Sequence, residues 1–162
     1  MSKITTKQVG AGGFWKVINE QQDDSVIKQK TPLSCVAAVG VMLLQTRGMT
    51  MTQADIIDII GEASTTEKLA KLLNDTDKLR GEEKWHGTIV AVKYLEKIAN
   101  KSPFGAVLRE GNPLGHLVLI EKLKGNLLSI KDPWDGTAYQ MTVEEFLKVW
   151  NGEIIFRWNL SK

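Results

Sequence analysis

The chain has 162 residues, 21 Lys and Arg against 19 Asp and Glu, and a formal net charge of +2. That length suits one domain with a real core, and so small a charge offers no basis for binding nucleic acid or a membrane surface. A single cysteine excludes an internal disulfide, the two histidines make no cysteine–histidine metal cluster, and no apolar run approaches the ~20 residues of a membrane span. A soluble protein without metal or other cofactor is therefore expected.

Residues 1–24 are polar and glycine-rich. Gly10-Ala11-Gly12-Gly13 follows no strand pattern and precedes no Gly-Lys-Ser/Thr, so it is not a phosphate loop. The segment reads as a flexible lead-in, with Phe14, Trp15, Val17 and Ile18 docking on a domain that spans 25–162.

Gln29-Lys30-Thr31-Pro32-Leu33-Ser34-Cys35 comes next. Proline has no N–H and pushes Thr31 to an extended conformation. Ser34 is a suitable N-cap, which puts Cys35 in the first turn of a helix. Val36 to Leu44 is apolar on every side, the mark of a buried helix, and Gly48 suits its stop.

Thr52 caps a second helix to about Ile60, with Ile56, Ile57, Ile59 and Ile60 as its apolar face. Residues 65–75 form a third, with Leu69, Leu72 and Leu73 inward, and Lys78 to Lys84 a charged loop. Thr88 suits the cap of a fourth helix over 89–100 carrying Val92, Leu95 and Ile98. Lys101-Ser102-Pro103 ends it.

The texture then turns to strands: Phe104–Leu108, Gly115–Leu123, Leu127–Asp132 and Thr137–Met141, with turns at 110–113, 124–126 and 132–136. Thr142-Val143-Glu144-Glu145 fits a capping box opening a helix to Trp150, and Glu153–Trp158 is a last strand. Helices first and an antiparallel sheet after them give the α+β class in two layers.

A cysteine at a helix N-terminus has a stabilised thiolate, but a nucleophile also needs a base and a group to orient that base. His86 lies in a charged stretch and reads as a surface loop residue. His116 opens the apolar run Leu117-Val118-Leu119-Ile120, and Asp132 ends the next strand. If the intervening loop centres on Lys124, His116 faces Asp132, Val118 faces Ile130 and Ile120 faces Leu128, which brings imidazole and carboxylate within reach. A two-residue turn at Gly125-Asn126 shifts that register. Gln29, six residues before Cys35, supplies an amide for an oxyanion hole alongside the Cys35 backbone N–H. Trp134 follows Asp132-Pro133 and is either a cover over the His116–Asp132 bond or a turn aromatic packed on the sheet edge.

These residues, in the stretches Gln29–Ala38, Gly115–Ile120, Ile130–Pro133 and Phe146–Gly152, resemble the papain-like cysteine peptidases. Within that fold the chain is similar to the bacteriocin-leader peptidase domains that cut after double glycine. It departs from them in having Ser34-Cys35-Val36 in place of an acidic residue and Cys-Gly. The Pro-Leu-Ser-Cys-Val-Ala-Ala run more closely resembles papain-fold toxin domains of bacterial polymorphic toxins.

The resemblance implies a Cys35–His116–Asp132 triad with Gln29 as oxyanion donor, and a protein or peptide substrate. It also implies a cognate immunity protein as partner, and action in the bacterial cytoplasm or in a target cell reached as part of a larger secreted toxin. Acyl transfer to water gives proteolysis or deamidation, and transfer to an amine gives transglutamination. The competing readings are a catalytically silent papain-fold peptide-binding module and a leader peptidase. A nuclease lacks a basic patch with interleaved aromatics.

Overall fold

The computed structural model describes residues 4–8, 14–101, 103–109 and 115–158. Among the described residues, five α-helices pack on one antiparallel sheet. The helices are α1 (Cys35–Gln45), α2 (Gln53–Ile60), α3 (Thr66–Asp77), α4 (Leu95–Ala99) and α5 (Val143–Val149). The strands are β1 (Ile4–Gln8), β2 (Phe14–Gln22), β3 (Trp85–Ile89), β4 (Phe104–Leu108), β5 (His116–Lys124), β6 (Leu127–Asp132), β7 (Thr137–Thr142) and β8 (Glu153–Arg157), in the order β1-β2-β7-β6-β5-β4-β8-β3. No helix among the described residues is long and apolar enough to cross a membrane.

The α+β class holds, with the cysteine on a buried helix against an antiparallel sheet. α1 is buried from Val36 to Leu44 and packs on β5. Gly40 allows α2 and α3 to close on it: a Cβ there would lie 2.8 Å from Leu69 Cδ1 and 3.1 Å from Ile56 Cδ1. Thr52 and Asp55 form a reciprocal capping box at the start of α2. Ile56 is fully buried, but Ile59, expected on the same face, points outward. Thr142 caps α5 by accepting from Glu145 N, and no reciprocal bond from the Glu145 side chain completes the expected box.

Four expectations are corrected. Two layers become three. Leu117, Leu119 and Ile155 face α1–α3, while Val118, Ile120, Ile130 and Ile154 face Leu95 and Ile98 of α4 and Phe146 and Val149 of α5. The fourth helix shrinks to Leu95–Ala99 behind a 3-10 turn at Val92–Tyr94, because the segment before it pairs with β8, from Trp85↔Arg157 to Ile89↔Glu153. Long-range pairing overrides local helix pattern here. His86 is consequently a half-buried strand residue, its ring 5.6 Å from that of Phe156, rather than a loop residue.

The lead-in, over its described part, is a hairpin of β1 and β2 joined to the sheet through β7. Trp15 and Val17 are buried and Ile18 half-buried, while Gly10 to Gly13, the turn at 110–113, and the side chain of Phe14 lie outside the described set.

The register between β5 and β6 is the fourth correction. The turn is the two-residue Gly125-Asn126 form, with Lys124↔Leu127 and Leu123↔Leu128 paired. Carried on unbroken, that pairing would put His116 and Asp132 on opposite faces, because a one-residue slip reverses every side chain. A bulge intervenes: Lys122 pairs with Ser129 but Ile120 with Ile130, so Glu121 is an extra residue. Beyond it the pairing is Ile120↔Ile130 and Leu119↔Lys131, and His116 and Asp132 return to one face as diagonal neighbours.

Candidate active site

Thr31-Pro32-Leu33-Ser34 forms a closed turn before α1. Ser34 holds the N-cap position but makes no capping bond. Its hydroxyl instead accepts from Thr31 N at 3.0 Å and donates to Thr31 O at 3.1 Å. The expected cap is thus spent on the loop, and the first-turn N–H groups of α1 are left to other partners.

Cys35 opens the helix and is half-buried. Its sulfur lies within range of the His116 ring and of the Leu117 backbone N–H. Burial alone would push the thiol up. The bond to His116, the positive charge of that ring and the Leu117 N–H outweigh it and hold the thiol below its ordinary 9.0.

His116 Nε2 lies 2.7 Å from Asp132 Oδ1, and both residues are sealed from solvent. With Nε2 committed to the carboxylate, Nδ1 is the nitrogen left for the thiol. Burial would lower the imidazole. The Asp132 charge and hydrogen bond, reinforced by Cys35, reverse that and raise it from 6.5 to about 10. One partner is lowered and the other raised, so both shifts favour the charged pair of thiolate and imidazolium.

A buried carboxylate must be saturated with donors. Asp132 Oδ1 accepts from His116 Nε2 and, at 2.9 Å, from Trp134 N, while Oδ2 accepts from the Tyr139 hydroxyl at 2.8 Å. Burial, then the Asp132 charge, keep the Tyr139 phenol well above its usual range, so it stays a donor. Tyr139 in turn accepts from Trp15 Nε1 at 3.1 Å. The Trp15 ring is stacked over His116, with centroids 6.2 Å apart and an interplanar angle of 23°.

Gln29 is buried in the loop ahead of α1. Its backbone N–H donates to Pro133 O at 2.8 Å, linking it to the turn after Asp132. Its Nε2 donates to Thr31 O at 2.8 Å. Gln53 of α2 brackets it, donating to Lys28 O at 2.7 Å and accepting from Lys30 N at 3.2 Å.

The structure therefore brings Cys35, His116 and Asp132 together and holds Gln29 in the loop that leads to Cys35. Trp134, considered as a cover, is half-buried and gives Asp132 its backbone N–H, whereas the ring over the imidazole belongs to Trp15. His86 stands on β3, three places from β5 in the sheet. Sequence reasoning missed Trp15 and Tyr139 as members of the site. The available signal was alternation: Trp15 with Val17, and Tyr139 with Thr137 and Met141, are inward positions of strands.

Residues 23–162 match the Peptidase C39 family. The chain is 38% identical over 152 residues to "Cysteine protease effector 1" of Escherichia coli O1:K1:H7, covering 91% of this chain and 30% of that protein, so it spans under a third of that relative's length. Among solved structures it superposes on the peptidase domain of Streptococcus ComA, described as a bi-functional ABC transporter of a quorum-sensing pathway. The TM-score is 0.66 at 20% identity, over 82% of this chain and 96% of that one. It also superposes on a double-glycine-motif protease from an AMS/PCAT transporter solved with its leader peptide, with a TM-score of 0.65 at 20% identity, over 81% of this chain and 88% of that one.

Proposed function

The chain belongs to the Peptidase C39 family and is a papain-fold cysteine peptidase-like enzyme, and we propose that Cys35, His116 and Asp132 are its catalytic triad, with Gln29 as oxyanion donor, acting on a protein amide bond. One observation carries the assignment of roles: the buried Asp132 carboxylate holds the His116 ring at 2.7 Å, and that ring in turn lowers the Cys35 thiol. The Cys35 thiolate attacks the carbonyl carbon. The oxygen that becomes negative is met by the Cys35 N–H and by the Gln29 Nε2 hydrogen not engaged with Thr31 O. The imidazolium hands its proton to the departing amine. In the second half His116 takes a proton from water, or from an acceptor amine, as it attacks the acyl-enzyme. Asp132 holds the ring in place and supports its charge.

The biological setting we infer is that of a toxin or effector domain in bacterial competition, delivered into a target-cell cytoplasm and neutralised at home by an immunity protein. The likeness to a cysteine protease effector supports this over double-glycine leader cleavage, since the transporter peptidases share the fold at only 20% identity. The test is expression of the wild type and of Cys35→Ala in bacterial cells, followed by mass spectrometry of cell proteins. New termini, deamidation of about +1 Da or crosslinks, seen only with the wild type, support the reading and separate the three acyl acceptors. Identical proteomes, with specific cutting of a double-glycine leader peptide assayed in parallel, would replace it.

A further inference from the structure

The family match begins at residue 23, and β2 ends at Gln22. The strand outside the matched region nevertheless reaches into the site. We propose that Trp15, supplied by this N-terminal hairpin, is a positioning residue for catalysis, covering the His116 ring and fixing the donor chain that ends on Asp132. The inference rests on the triad reading above.

Two contacts carry it. The indole lies stacked over the imidazole and is itself buried, so water is kept from that face of the His116–Asp132 pair. Attraction between imidazolium and carboxylate strengthens as water is removed. The second contact sets polarity. A hydroxyl has one hydrogen and can donate in either direction, but an indole N–H only donates. Trp15 Nε1 occupies a lone pair of the Tyr139 oxygen, which commits the Tyr139 hydrogen to Asp132 Oδ2. Oδ2 is held from below, and Oδ1 is left to His116 and the Trp134 N–H. The geometry makes the hairpin part of the catalytic unit rather than a lead to it.

The test reads the site without needing a substrate. The rate of Cys35 alkylation by iodoacetamide is measured on the full chain from about pH 4 to about pH 10, alongside thermal melting, because the thiolate is the reacting form. In Trp15→Ala, water reaches the pair and screens the Asp132 charge that supports the ring, so the imidazolium is less favoured and the thiol rises. Alkylation at about pH 6 then falls about tenfold, with the rate at about pH 9.5 kept within about twofold. Trp15→Phe keeps a ring but not the N–H, and its profile shifts by a smaller amount matched by Tyr139→Phe, with no further shift in the double variant.

Lower melting temperatures with an unmoved pH profile in the Trp15 variants would mean a merely structural role and overturn the proposal. If Trp15→Ala does not fold, an unmoved Trp15→Phe profile overturns it alone. His116→Ala separates the two levels. A profile shifted by His116→Ala but not by the Trp15 variants sinks only this inference, while a wild-type profile in His116→Ala sinks the triad as well.

Discussion

Asp132→Asn tests the electrostatics of the site with little change of shape. The amide can take only one useful orientation. Placed toward His116, its NH2 would oppose both the His116 Nε2 hydrogen and the Trp134 N–H, two donors that meet at Oδ1. Placed toward Tyr139, it keeps both of those bonds and obliges the phenol to accept in place of donating. The imidazole stays oriented and the negative charge is gone. A hydrogen bond to a charged group contributes ~1.5–3 kcal/mol and a neutral one ~0.5–1.5, so the imidazolium loses about 1–2 kcal/mol of support. At ~1.4 kcal/mol per decade, kcat/KM at neutral pH falls about 5- to 30-fold.

The pH profile moves as well. Asp132 is the chief opponent of burial in raising His116 to about 10, so without its charge the imidazolium is lost at lower pH and the alkaline limb of activity shifts down. The assay is turnover of the target protein, or of a peptide cut from it, across pH. Activity unchanged within about twofold, or abolished as completely as in Cys35→Ala in a folded protein, would refute the role given to the carboxylate.

Cys35→Ala and His116→Ala should each remove turnover while leaving the circular dichroism spectrum intact, and the double variant should be no worse than either, since a coupled pair is lost once. His86→Ala should retain activity within about twofold and lose about 1 kcal/mol of stability in urea titration, because it gives up only its packing on Phe156 at the far side of the sheet. Gly87→Ala should cost ~1–3 kcal/mol, lowering the calorimetric melting temperature by roughly 3–10 °C. Its Cβ would lie 2.2 Å from Thr66 O and 2.5 Å from Glu67 N, backbone atoms that cannot yield without moving α3.

The parts of this molecule legible in sequence are those where local chemistry and global fold agree. Pro32 and Ser34 followed by nine apolar residues mark the start of α1 whatever surrounds it, and Thr52 and Thr142 mark two further helix starts. His116 and Asp132 could be paired because strand ends are set by turn residues on either side. What escaped is what depends on partners distant in the chain. β3 is a strand only because β8 lies beside it, and of the Val92, Leu95 and Ile98 pattern that follows only the part from Leu95 is α-helical. Trp15 and Tyr139 are separated by 124 residues, and nothing local distinguishes a core aromatic from one that meets a catalytic ring. The bulge at Glu121 was invisible for the same reason, since an extra residue shows only when the opposing strand is counted.

That bulge has a consequence for how the chain tolerates length changes. Between Glu121 and the Gly125-Asn126 turn, the hairpin can gain or lose a matched pair of residues, one from each arm, and deliver the same two side chains to the same place. Loss of a single residue from the β5 arm is absorbed by the bulge itself, which then disappears. Losing Glu121 would join Lys122↔Ser129 directly to Ile120↔Ile130 in an unbroken ladder and leave His116 and Asp132 on one face. Gaining a residue in the β5 arm is the change that counts: paired without a second bulge, it would send His116 and Asp132 to opposite faces.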